Sequence, residues 1–427
     1  MIEISTNDGS KLVTKEIQKL LDDAGKKKGT VTIKAGRYLV GSLFIPSGVT
    51  FVLDKDAVLL GSQDIRDYPI ISTRVAGIDM NWPAAILNVY QAQNVTIEGK
   101  GTIDGQGQIF WEKFWGKDSQ GGLMKEYANK GLRWAADYDC KRPRNICLYD
   151  SENVTVKEIT SKQSGFWNTQ LSYCKHCVVD GITVINGPGP STDGIDIDSS
   201  HHITVSHCFV ECNDDNICVK AGRGLEAFQK QTTCSDILIT DCELGKGSGV
   251  TIGSETSGGI SDITIQNIVF KKTGIGFRIK TANNRGGYIR NIKVSNLEME
   301  DVFHPFNLQT NWYADYSYAK VPETYQETVA EHWKKIMNDV SGKESITEVS
   351  KIEIKNVIAK RTYPQLISRA FYIGGNPQRP IQNISFSNVS IEAKEFGKIS
   401  GVNNLSFESV NVSALEVTEN KNDRYER

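Results

Sequence analysis

A short pattern recurs along this chain: a polar residue followed by an apolar–polar–apolar triplet. It reads NVTI at 94–97, NVTV at 153–156, HCVV at 176–179, HITV at 202–205, DILI at 236–239 and DITI at 262–265. It continues as NIKV at 291–294, KIEI at 351–354, NISF at 383–386 and NLSF at 404–407. Most spacings run from 21 to 34 residues, with two long gaps of 59 and 60. Alternation with period two predicts short strands that send every other side chain inward. A repeat at this period predicts a solenoid, with Gly, Asn and Asp turning the corners between triplets. Long helical patterns are few, which disfavours a βαβ fold, and tight Asn-Gly hairpin signals are scarce, which disfavours a two-sheet sandwich. The expected architecture is all-β: a single-stranded right-handed parallel β-helix, with residues 1–427 forming one domain.

A solenoid has to cover its open ends. Residues 11–25 carry Val13, Ile17, Leu20, Leu21 and Ala24 at helical spacing, and this short helix is the expected N-terminal cap. A second helical stretch, PETYQETVAEHWKKIMND, lies in the 60-residue gap, so 309–347 is expected to be a partly helical insertion beside the coil. The charged tail ENKNDRYER is expected to fray.

Composition narrows the partners. The chain has 49 basic and 51 acidic residues, a net charge of −2, which argues against nucleic acid. No apolar run reaches the ~18 residues of a membrane span. The polar N-terminus, MIEISTNDGSKLVTKE, lacks an apolar signal core. The location is therefore cytoplasmic, or secreted or periplasmic if a leader has been removed. Nine cysteines, an odd number in a long chain, do not read as a disulfide scaffold. Cys174 and Cys177 form a lone CxxC near His207, Cys208 and Cys212. Small buried apolar side chains are the better reading than zinc.

The candidate chemistry is acidic. PSTDGIDIDSS (190–200) is followed one coil later by CNDDNICVK (212–220). Residues one coil apart stack at about 4.8 Å. Asp193 is therefore expected beside Asp214 and Asp215. Asp196 and Asp198 read as corner residues. Arg278 and Lys280, in GFRIKT, share one face of a strand, and the Gly-rich GKGSGVTIGSE (245–255) lies between the two groups. Crowded carboxyls cannot all ionise freely, so one can serve as general acid and another as base for a water. That is the two-carboxylate arrangement of glycoside hydrolysis. The basic pair suits an anionic sugar and opposes a calcium ion. No cofactor or metal is called for. Two rivals stay open: a polysaccharide lyase, and a non-catalytic carbohydrate-binding solenoid.

In this order the motifs resemble glycoside hydrolase family 28, the polygalacturonases and rhamnogalacturonan hydrolases. Ser191-Thr192-Asp193 matches the family's Asn-Thr-Asp, Asp214-Asp215 its double aspartate, and Arg278-Ile279-Lys280 its Arg-Ile-Lys. The opening coils (29–62), GSETSGG (253–259) and RGGYIRNI (285–292) look like family segments, so the resemblance runs from about residue 10 to about residue 300. It implies inverting hydrolysis, with Asp214 as acid, Asp193 and Asp215 holding the water, and Arg278 and Lys280 binding a galacturonate carboxylate. The implied partner is an acidic pectic polysaccharide or oligosaccharide. One departure stands out: Gly247-Ser248-Gly249 occupies the place of Gly-His-Gly, which points to rhamnogalacturonan or a related pectic substrate. Trp167, Tyr173, Trp312, Tyr313, Tyr316 and Tyr318 are candidates for stacking on sugars, and Ser248 and Arg223 for substrate contact.

Overall fold

The computed structural model describes residues 6–416, so the charged tail at 419–427 lies outside it. Each repeat triplet is a strand, and the polar residue that opens it makes the corner. Asn94, Asn153, His176, His202, Asp236, Asp262, Asn291, Lys351, Asn383 and Asn404 all have φ between 53° and 59°. This left-handed conformation costs Asn, Asp and His less than other side chains, which is why the pattern begins as it does. The corner side chains then bond rung to rung. Asn291 Nδ2 donates to Asp262 Oδ1 at 2.9 Å and Asn404 Nδ2 to Asn383 Oδ1 at 3.0 Å. A second corner repeats the arrangement through Asn267, Asn296, Asn356 and Asn388.

Strands pair in parallel with their counterparts one coil away, giving one sheet of 29 strands: a parallel β-helix. In-register stacking makes files of like position. Ile195 and Ile197, Ile217 and Val219, Val250 and Ile252, then Phe277 and Ile279 point inward and are fully buried. The outward files on the same strands matter more for chemistry. One runs Gln170, Asp196, Cys218, Thr251, Arg278 and Asn307. Two residues further along, another runs Ser172, Asp198 and Lys220, and a later stretch runs Gly253, Lys280 and Gln309.

The helix Thr14–Gly25 buries Ile17 and Leu21 at the N-terminal end of the coil core. The 59-residue gap holds helices Gln108–Trp115 and Gly122–Asn129, and the 60-residue gap holds Ala314–Ser317 and Glu331–Met337. An antiparallel hairpin, Ile70–Val75 with Ile78–Pro83, stands off the coil. The hairpin and these excursions, apart from the helix Gln108–Trp115, meet in a small apolar core built on Val75, Trp82, Trp134, Tyr138, Trp333 and Ile336, with Phe166 and Trp167 of the coil. Polar ties hold it shut. Trp134 Nε1 donates to the Lys320 carbonyl at 3.0 Å, and Lys335 Nζ to the Asp79 carbonyl at 2.8 Å. The outward files are therefore roofed on one side.

Candidate active site

Asp193 and the Asp214-Asp215 pair each stand just ahead of a strand, Ile195–Asp198 and Ile217–Lys220 respectively. The rung bonds fix their alignment: Gly194 N donates to the Asp215 carbonyl at 2.9 Å, and Ile195 N to the Asn216 carbonyl at 3.0 Å. Buried Asn216 pins the turn that carries the pair. Its Nδ2 reaches the Val210 and Lys246 carbonyls, and its Oδ1 accepts from Gly249 N at 2.7 Å. Gly194 is required by close approach, since a Cβ there would lie 2.3 Å from the Asn216 carbonyl oxygen. Gly194→Ala is therefore expected to cost about 1–3 kcal/mol of stability by overpacking. It is also expected to lower kcat by more than about tenfold by moving Asp193 off register. Thermal melting and initial rates check both.

The result is a tight acidic cluster. One carboxylate oxygen from each of Asp193, Asp214 and Asp215 lies within 4.8 Å of the others. Lys280 Nζ donates to Asp215 Oδ2 at 2.6 Å, Thr251 Oγ1 to Asp215 Oδ1 at 2.6 Å, and Arg278 Nη1 lies 3.7 Å from the same oxygen. Burial acts to raise Asp215, but Lys280, Arg278 and Lys220 outweigh it and hold the carboxylate ionised, far below the usual range. Its neighbours go the other way. Burial, then the charge on Asp215, raises Asp214, which is partly exposed. Burial, then Asp196 and Asp214, raises Asp193 well above an ordinary aspartate. Environment alone thus splits equivalent carboxyls into a fixed anion and proton holders, the condition for acid–base work.

Among the other expected residues, Trp312 roofs the cations. Its ring centroid lies 4.7 Å from Lys280 Nζ and 5.5 Å from Arg278 Cζ. Trp167 is only 5 % exposed, stacks on Phe166 and lies under Lys220 Nζ at 4.9 Å. Ser248 meets the cluster through its backbone, donating its N–H to the Asp214 carbonyl at 2.8 Å. Arg223 is 1 % exposed, and its guanidinium is engaged by the Tyr138 hydroxyl and by the carbonyls of Tyr316 and Ser317. That burial makes it part of the wall, where sequence reading had it touching substrate. Tyr173 is likewise tied to the hairpin, its hydroxyl donating to Asp79 at 3.0 Å. Tyr316 packs on Arg223, and Tyr318 donates to Asn311.

Asp196 and Asp198 are not corner residues. Both lie within the strand Ile195–Asp198 and are fully buried. Asp198 pairs with Arg74 of the hairpin at 2.9 Å. Asp196 faces Lys220 at 3.7 Å, and Lys220 in turn pairs with Glu255 at 3.1 Å. Sequence reading missed Lys220, Glu255 and Thr251. The GSE at 253–255 was the nearest signal, and the file that sets Thr251 between Cys218 and Arg278 becomes visible only once the register is known. All nine cysteines are free and buried. His207 bonds Asp180 at 2.7 Å. His304 stands one rung beyond Ile275, and burial followed by Arg369 and Arg278 lowers it to about 4.

The protein-family model for glycosyl hydrolases family 28 matches residues 72–411. The chain belongs to glycosyl hydrolase family 28. Among curated family 28 relatives, a probable polygalacturonase of Vitis vinifera is 28% identical over 400 residues, covering 90% of this chain and 72% of the relative. An endo-polygalacturonase of Pectobacterium carotovorum is 28% identical over 384 residues, covering 82% and 88%. Among solved structures, the exopolygalacturonase of Thermotoga maritima superposes with a TM-score of 0.76 at 21% identity, covering 96% of this chain and 89% of that one. That likeness is one of fold. As a family 28 protein the chain is a glycoside hydrolase.

Proposed function

We propose that the protein hydrolyses α-linked galacturonosyl bonds in pectic polysaccharide or oligosaccharide with inversion at the anomeric carbon. The observation that carries this reading is the split within the cluster: Asp215 is locked as an anion against Lys280 and Arg278, while Asp214 beside it is partly exposed and held toward its protonated form. In the proposed step Asp214 gives its proton to the leaving glycosidic oxygen. Asp215 and ionised Asp193 orient a water, and Asp193 takes its proton as the oxygen bonds to the anomeric carbon. Arg278 and Lys280 offer their remaining N–H groups to the carboxylate of the sugar being cleaved, under the Trp312 ring. The names of the relatives, probable polygalacturonase and endo-polygalacturonase, support the substrate class. Proton NMR of the first product formed checks the stereochemistry. The inverted anomer is expected, and the retained anomer contradicts the scheme.

The groove supports attack from a chain end. Beside Lys220 and Glu255 the hairpin tip covers the floor. Arg223 N donates to the Gly77 carbonyl at 2.9 Å, and a Cβ on Gly77 would lie 2.6 Å from Glu255 Cγ. Downstream, the file past Arg278 continues through Asn307 to Tyr372 and the exposed Lys398. A chain entering from the C-terminal coils stops at the tip. Monomer or dimer is therefore expected from the earliest time points on polygalacturonate, with little fall in viscosity per bond broken. An early ladder of long oligomers contradicts this.

The small Ser248 side chain, where relatives are expected to carry a histidine, favours a pectic substrate bulkier than plain homogalacturonan. Relative kcat/KM on homogalacturonan and rhamnogalacturonan oligomers decides between them.

A further inference from the structure

Beneath the catalytic trio lies a fourth carboxyl that the scheme above does not use. We propose that Asp196 is a positioning residue that acts through Asp193: the two contend for one proton, and Asp196 thereby sets the pH at which Asp193 becomes a base. The inference rests on the hydrolytic reading given above.

The geometry is one of stranded acceptors. Both oxygens of Asp196 and one of Asp193 are sealed from solvent and accept no hydrogen bond. A fully ionised pair would leave three buried acceptors without a donor, a costly arrangement. One retained proton relieves it. Among the described residues the only cation paired with Asp196 is Lys220, at 3.7 Å, and Lys220 sits closer to Glu255, at 3.1 Å. Glu255 wins that cation. Burial acts to raise Glu255, but Lys220, Lys280 and Arg285 outweigh it and bring the carboxyl down to about 2. Asp196 is left undercompensated. Burial pushes it up, Lys220 opposes, and Asp215, Glu255 and Asp214 add to the rise, to about 8. After burial, Asp196 is the strongest influence raising Asp193.

The charged and titratable groups around Asp196 come from its own run and from the two coils on either side. On the next strand are Cys218, beside it in register, and Lys220. Gln170, on the preceding strand, brings no charge. Asp193, Asp214, Asp215 and Glu255 supply the negative field, and Arg144, whose own state Asp196 influences, adds a positive charge from two coils before. Once Asp196 ionises, its charge holds the remaining proton on Asp193, and Asp193 ionises at lower pH only where that charge is absent.

Asp196→Asn removes the competitor while preserving shape. The expected result is an acidic limb of the kcat/KM profile displaced to lower pH by roughly one unit, the scale of one coupled charge in a buried cluster. A merely structural role lowers rates at every pH and leaves the limb in place, and that outcome overturns the proposal. Asp196→Ser, smaller and also neutral, gives the same displacement if the Asn variant does not fold. Stability supplies a readout that needs no substrate. The folded value of Asp196 lies above its unfolded one, so the wild type loses stability as pH rises from about 4 toward about 8. Asp196→Asn is spared that loss, and its Tm is expected to climb relative to wild type across this window. A constant Tm difference contradicts the proton-holding role. If the wild type hydrolyses no galacturonan, the functional reading falls, and the Tm comparison still tests Asp196 independently.

Discussion

Asp214→Asn is expected to lower kcat on a galacturonan by at least ~10²-fold, the usual worth of a general acid, with KM little changed. The amide keeps the size and the Ser248 N–H contact, which is made to the backbone carbonyl. It cannot deliver a proton to the leaving oxygen at any accessible pH. Asp214 is suited to that task because burial and the fixed charge on Asp215 keep its proton on beyond the ordinary aspartate range, while its partial exposure lets substrate reach it. Rescue by a substrate with a good leaving group, which needs no proton, distinguishes a lost acid from a damaged site. Unchanged turnover on the natural substrate removes Asp214 from the role.

The second large effect concerns the charge beneath it. Lys280→Met takes away the 2.6 Å partner of a fully buried carboxylate, and stranding such a charge costs about 3–5 kcal/mol. Thr251 and the 3.7 Å contact to Arg278 remain and do not replace it. The sign with pH follows from the direction of the shift. The folded value of Asp215 lies below its unfolded value of about 3.9, so the stabilisation is complete above that value and is lost as pH falls through the folded one. The gap in Tm between wild type and Lys280→Met is therefore expected to be widest near neutrality and to narrow below about pH 4. Activity falls as well, because the variant loses a cation for the uronate and raises the proton affinity of Asp215. A gap of constant size across pH contradicts the pairing as the source of stability.

Much of the fold could be read from the chain because the repeat is physical. Nine of the ten triplets open on an Asn, Asp or His, residues that tolerate left-handed backbone, and only Lys351 departs from that rule. The gathering of Asp193, Asp214 and Asp215 was legible for the same reason: Asp193 and Asp214 are separated by one coil length, and coil length sets which side chains become neighbours. What stayed hidden depends on cover laid down from elsewhere. In GIDID, the alternation correctly turns Ile195 and Ile197 inward. An outward Asp would ordinarily meet water or bond a turn, so Asp196 and Asp198 read as corner residues. They are buried because the hairpin at 70–83 and the helical excursions roof that face, and nothing local in GIDID announces them. Arg223 misled for the same reason: its partners Tyr138 and Tyr316 arrive from two separate insertions. The pairing of Lys220 with Glu255 spans 35 residues and crosses a coil, which spacing alone does not single out.

If these aspartates deliver water to a galacturonosyl bond, the oxygen of that water ends on the new reducing end. Digestion of polygalacturonate in heavy-oxygen water, followed by mass spectrometry of the products, follows that oxygen. One heavy oxygen is expected at each newly formed reducing end, with no ultraviolet-absorbing unsaturated sugar. Unlabelled products that carry a double bond would contradict it, since they form by proton abstraction and elimination.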